Sequence, residues 1–178
     1  MPFYIHYSFD LWHTLIKPNP DFKKERTRFF YENLNYGAKS LEEIEMIFRE
    51  VDVMCNAINE KTGRTINADQ MYLMVISSMN NHCYPVNKVD LDWLFEEMDA
   101  LLFRHMPLLY SLKTFDLLNQ LKEAENTTMS IVGNTGFNRG NTLRTVLNIL
   151  GISKFFDVQF YSDETGMSKP NPRSLNFY

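Results

Sequence analysis

The chain has 178 residues, a length that fits one core with one lobe and is enough to bury a sizeable interior. Its 18 basic and 22 acidic residues leave a net charge of −4, which excludes the strongly basic footprint of a nucleic-acid binder. No apolar stretch reaches the roughly 18 to 20 residues that span a bilayer, and the apolar start meets Asp10 too early for a secretory signal, so a cytoplasmic protein without a membrane partner is expected. Aromatics at 14% and ten methionines suit an adaptable buried interior. Cys55 and Cys83 lack a zinc-type spacing and read as two free thiols of a reducing compartment.

In chain order, the apolar run over 3–9 predicts a strand with Asp10 at its mouth. Pro18 and Pro20 then mark a change of period. Phe22, Arg26, Phe29 and Phe30 recur at three- and four-residue steps and predict a helix over 21–35. Ser40-Leu41-Glu42-Glu43 is a capping box opening a second helix, with Ile44, Ile47, Phe48 and Val51 on one face and Gly63 as its stop. Asn67-Ala68-Asp69-Gln70 opens a third helix that runs to Met79. Leu91, Leu94, Phe95, Met98, Leu101 and Leu102 mark a fourth, ending before Pro107. The stripe of Phe22, Phe29, Phe30, Phe48 and Trp93 reads as the interior of this helical block.

Beyond Pro107 helices and strands alternate: a helix from Ser111 to about Glu125, a strand Met129 to Val132, a helix Asn138 to Leu150, and a strand Val158 to Tyr161. Lys169-Pro170-Asn171-Pro172 then leads to a helix start at Arg173. Alternation of this kind means parallel strands. The expected architecture is α/β: a Rossmann-like parallel sheet built from 1–17 and 107–178, with a four-helix insertion over 18–106.

Parallel strands bring their carboxyl ends to one edge, where open sheets bind ligands. Three polar clusters would meet there: Asp10 with Thr14, the turn Gly133-Asn134-Thr135-Gly136, and Ser168-Lys169-Pro170. The chemistry that uses such a set is covalent catalysis by a carboxylate, with Asp10 attacking phosphorus or carbon and water hydrolysing the resulting ester. Lys169 would hold Asp10 ionised and neutralise developing charge. Backbone N–H groups of the 133–136 turn would cradle substrate oxygens.

These residues resemble the haloacid dehalogenase-like hydrolase superfamily. Its strand-end FDxxxTL segment is similar to Phe9-Asp10-Leu11-Trp12-His13-Thr14-Leu15. Its second hydrophobic strand resembles Ile131-Val132-Gly133-Asn134-Thr135-Gly136, and its GxxKPxP loop resembles Gly166-Met167-Ser168-Lys169-Pro170-Asn171-Pro172. The resemblance implies Asp10 as nucleophile and Lys169 as the group that stabilises the intermediate. It implies Thr14, Asn134 and Thr135 on the substrate side, and a magnesium ion on Asp10 and the Trp12 backbone carbonyl. The inserted helices would be a cap of the family's first type, and the substrate a small molecule, first of all a phosphate ester.

Three departures shape the expectation. Trp12 stands where phosphatases of the family place a second aspartate as general acid and base, and an aromatic there is similar to the 2-haloacid dehalogenases. Gly133 replaces the substrate-binding Ser or Thr. The chain reaches Tyr178 before any segment resembling the family's fourth, acidic motif, so a longer natural chain is expected, with weak magnesium binding and little turnover from these residues. Two alternatives stay open. One is a dehalogenase with Arg26 or Arg28 as halide cradle, and the other is a non-catalytic binding protein on the same fold. His13, inside the nucleophile loop, is a candidate proton donor in place of the lost acid.

Overall fold

A computed structural model of the chain describes residues 5–175; residues 3 and 4 of the first expected strand lie outside them. Strand β1 (Ile5–Phe9) leads to the short β2 (Ile16–Lys17). Four helices follow: α1 (Pro20–Leu34), α2 (Leu41–Thr62), α3 (Ala68–Met79) and α4 (Leu91–Arg104). The chain then runs through β3 (Leu108–Leu109), α5 (Thr114–Glu123), β4 (Thr127–Gly133), α6 (Gly140–Ile149), β5 (Val158–Tyr161) and the one-turn α7 (Ser162–Thr165).

The helices begin where side chains satisfy their first free amides. Asn19 Oδ1 accepts from the Asp21 amide at 3.0 Å, with Pro20 preset for the first turn. Ser40 and Glu43 make the reciprocal capping box of α2, at 3.2 and 2.7 Å. Asp90 Oδ1 accepts from the Trp93 amide at 3.0 Å and starts α4. Helix α2 stops at Gly63, whose φ of 66° is open to a residue without Cβ.

Among the described residues, β1, β4 and β5 form a parallel sheet in the order β1-β4-β5. β4 is central and buried from Met129 onward, as expected of a strand covered on both faces. The sequence reading missed the antiparallel pair β2-β3, in which Ile16 faces Leu109 and Lys17 faces Leu108 across the base of the helical insertion. Two-residue strands carry no readable period.

The remaining differences lie at element ends. Helix α5 starts at Thr114 because Ser111 opens a turn, its carbonyl accepting from the Thr114 amide at 3.1 Å and its Oγ from the Lys113 amide at 3.2 Å. The expected helix at Arg173 is a single 3₁₀ turn, Pro172–Leu175.

The apolar side chains bury into two clusters. One fills the helical insertion around Phe30, Ile44, Phe48, Tyr72 and Phe95, and takes in Phe137 and Val146 from beyond β4. The other lies against the sheet around Leu11, Ile131, Leu143, Leu147 and Tyr161. The expected aromatic stripe is therefore interior, with Phe22, Phe30 and Phe48 buried and Phe29 and Trp93 packed against them.

Polar ties join the insertion to the sheet unit as well. Thr142 Oγ1 on α6 donates to Asp99 on α4 at 3.0 Å, and burial pushes the Asp99 carboxyl above its ordinary range. The residues after α2 meet the loop that follows α7. The Thr65 amide donates to Gly166 O at 3.3 Å, Ser168 N and Asn171 Nδ2 donate to Gly63 O at 3.2 and 2.9 Å, and Arg64 pairs antiparallel with Met167.

Candidate active site

Parallel pairing of β1 with β4, in the register Phe9 to Ile131, brings Asp10 and the turn after Gly133 to the same sheet edge. The lysine loop reaches that edge too. Lys169 Nζ forms an ion pair with Asp10 Oδ1, joining side chains 159 positions apart in sequence. Both side chains remain partly accessible, as a carboxylate meant to meet a ligand must be.

Asn134 holds this arrangement from below. Its Oδ1 accepts from the Lys169 amide at 3.0 Å and its Nδ2 faces the Lys169 carbonyl at 3.4 Å, so the side-chain amide is directed at the backbone of the lysine. Thr135 is buried, and its hydroxyl and amide both lie 3.1 Å from Ser162 Oγ. The structure thus ties Asn134 and Thr135 to the loops on the β5 side. Thr14 is exposed on the far part of the turn after Asp10 and does not line the adjoining cavity.

Trp12 is half-buried against the sheet-side cluster. It bridges to Ile16, but the bonds of that bridge come from its neighbours: Ile16 N donates to Leu11 O at 3.1 Å and His13 N donates to Ile16 O at 2.7 Å. The Trp12 carbonyl takes no part in them. His13 takes a left-handed φ of 59° and, with Trp12, lines the cavity.

That cavity, about 900 Å³, lies between the helical insertion and the sheet edge. Its floor is Trp12, His13 and the turn from Asn134 to Asn138, and its walls come from α1 and α2. Asp10 and Lys169 adjoin it through Trp12 and Asn134 rather than lining it. Of the two arginines considered for a halide cradle, Arg28 is exposed and pairs with Glu25 at 3.0 Å, whereas Arg26 is buried and lines the cavity.

A magnesium ion wants six oxygens in octahedral geometry, drawn from one or two carboxylates, substrate and water. Asp10 and the Trp12 carbonyl offer two. Among the described residues no group of three or more His, Cys, Asp or Glu side chains could hold a metal, and Asp10 is already engaged by Lys169. The described donors do not fit magnesium by themselves.

Two serines take structural roles that the sequence reading did not assign. Ser162 anchors the 133–136 turn, and Ser168, fully buried, shares a hydrogen bond with Thr65 at 2.8 Å between lysine loop and helical insertion. Ser168 lay inside a quoted motif, but a serine in a loop signals only a turn until its partner is known.

No family model matches the sequence, and no curated protein matches it. Solved structures do match. YfnB of Bacillus subtilis, assigned to the HAD-hydrolases and bound to magnesium, is 19% identical with a TM-score of 0.66, over 98% of this chain and 72% of that one. An L-2-haloacid dehalogenase of Xanthobacter autotrophicus with chloropropionic acid covalently bound is 15% identical with a TM-score of 0.56, over 97% of this chain and 62% of that one. A predicted phosphoglycolate phosphatase of Haemophilus somnus is 16% identical with a TM-score of 0.54, over 97% and 68%. This chain therefore spans less than two thirds of the dehalogenase's length and somewhat more of the other two.

Proposed function

We propose that this chain, which has the haloacid dehalogenase-like fold, is a hydrolase that uses Asp10 as a covalent nucleophile on a small organic substrate. The observation that carries the reading is the ion pair between Asp10 and Lys169 at the carboxyl edge of the sheet. On this reading 1–17 and 107–178 are the catalytic core, and 18–106 is a cap over the cavity.

The steps follow from the residues in place. A carboxylate oxygen of Asp10 attacks the electrophilic centre, an acyl phosphate forms on phosphorus or an ester on carbon, and the leaving group departs with the bonding pair. Lys169, paired with Asp10 at the sheet edge, offsets negative charge on the substrate as the new bond forms. Asn134 is a positioning residue that fixes the lysine backbone. On this reading His13, which lines the cavity, gives a proton to the leaving group and then takes one from the water that cleaves the covalent intermediate.

The substrate class proposed first is a small phosphate ester. Trp12 favours a second reading, displacement of halide from carbon, because that reaction needs neither a second aspartate nor a metal. The test is turnover of p-nitrophenyl phosphate and of 2-chloropropionate by the chain and by Asp10→Asn. Loss of at least about a hundredfold on substitution is expected for the true substrate, the scale of a removed catalytic group. Turnover that survives Asp10→Asn sinks the nucleophile assignment, and chloride release in the presence of a chelator selects the second reading.

A further inference from the structure

Arg26 is the group in the cavity that neither the nucleophile nor the lysine accounts for. It sits on α1 with only 7% of its surface accessible, and that part belongs to the cavity lining. Its Nε is buried without a hydrogen-bond partner. None of the ion pairs among the described residues engages it. The guanidinium lies over the rings of Phe48, Phe137 and Phe22, at 4.0, 4.7 and 5.6 Å from their centroids.

Aromatic faces attract a cation, but they do not replace the hydrogen bonds its N–H groups lose on leaving water. Burial accordingly pulls the Arg26 pKa below its ordinary value, opposed by Tyr72 and more weakly by Asp52. A buried, ring-clamped guanidinium without a carboxylate is a pre-organised receptor for one.

We infer that Arg26 is the anion subsite of the cavity and binds a carboxylate of the substrate, holding the molecule by one end while its reactive group meets Asp10. A carboxylate suits the surroundings better than a second phosphate. In the lining Glu42, Glu45 and Asp52 balance Lys23, Arg26 and Arg49, so the cavity offers no surplus of positive charge for a dianion and a singly charged group matches Arg26 better. The aromatic clamp fixes the plane of the guanidinium, which favours the flat two-oxygen geometry of a carboxylate. The inference rests on the hydrolase reading only for the identity of the bound molecule as a substrate.

The test is calorimetric titration of the Asp10→Asn chain with 3-phosphoglycerate and with glycerol 3-phosphate, which carries a hydroxymethyl group in place of the carboxylate. The carboxylate compound is expected to bind at least about tenfold tighter, as one charge-assisted pair allows. Adding Arg26→Met, which keeps an apolar stem between the rings, is expected to erase that preference and leave glycerol 3-phosphate binding unchanged. Equal affinities, failure of both compounds to bind, or a preference that survives Arg26→Met overturns the inference. Should Arg26→Met fail to fold, the Arg26 Nε–H resonance of the Asp10→Asn chain answers the same question. A shift with 3-phosphoglycerate alone supports the subsite, and no shift, or the same shift with both, overturns it. The nucleophile assignment fails on a different readout, wild-type turnover that persists in Asp10→Asn, and that result leaves the binding preference standing.

Discussion

At the scale of single residues, Trp12 is the position on which the two proposed chemistries divide. An aspartate at that position would add a carboxylate beside Asp10 and supply the proton relay that phosphate esters with poor leaving groups require. Trp12→Asp is therefore expected to bind magnesium measurably more tightly than the parent chain, read as a larger thermal shift on titration with the ion. An unchanged response would show that a side-chain carboxylate at position 12 does not share a metal position with Asp10. The substitution also removes a half-buried indole from the sheet-side cluster, and a stability loss of about 1 to 3 kcal/mol should accompany it. Gly133, the other departure from the family pattern, is better tolerated than its position suggests. A Cβ there would lie 3.4 Å from the Leu11 side chain, ordinary contact, so the missing hydroxyl is not excluded by crowding.

At the scale of elements, most of the architecture was readable because its boundaries are written in side chains. Ser40 with Glu43, and Asn67 with Gln70, announce helix starts and make bonds of the expected kind, whereas Asn19 and Asp90 cap α1 and α4 without having been singled out. What could not be read are contacts made by backbone atoms or by segments too short for a period. The β2-β3 pair is one such case. Asp157 is another, since nothing in its neighbourhood hints that it holds α5 to β4. It accepts from Lys122 Nζ at 2.7 Å and from the Met129 amide at 2.9 Å, and these bonds, that to Lys122 first, hold its carboxyl below the ordinary range. A depressed folded pKa contributes stability that is present above the unfolded value, about 3.9, and is lost as pH falls through the folded value. The advantage of the parent over Asp157→Asn should be a few tenths of a kcal/mol to about 1 kcal/mol at neutral pH, because the pair is largely exposed, and should shrink toward zero below about pH 4. Thermal melts of both chains across that window check it, and a gap that widens on acidification contradicts the assignment.

At the scale of the whole molecule, the sequence brought Asp10 and Lys169 to one sheet edge but did not reveal what fixes their relation to the helices above them. Residues 63–65 and 166–171 lie a hundred positions apart and meet largely through main-chain groups, which leave no trace in residue type beyond Gly63 itself. A Cβ at Gly63 would lie 2.9 Å from Asn171 Nδ2, and the left-handed φ adds about 1 to 2 kcal/mol of strain. Gly151, with φ of 74° and open space around it, carries the conformational cost alone. Gly63→Ala should therefore lower turnover on the true substrate several-fold while Gly151→Ala, equally strained, leaves it intact; equal turnover in the two variants would show that the junction does not matter to the site. Taken thermodynamically, the junction makes the lysine loop and the helical insertion one linked equilibrium. A hinge motion that lifted the helices would have to break the bonds at Gly63 or carry Lys169 away from Asp10, so opening the site and disarming it become a single event. A ligand that grips α1 would then, by reciprocity, slow amide exchange in the lysine loop without touching it.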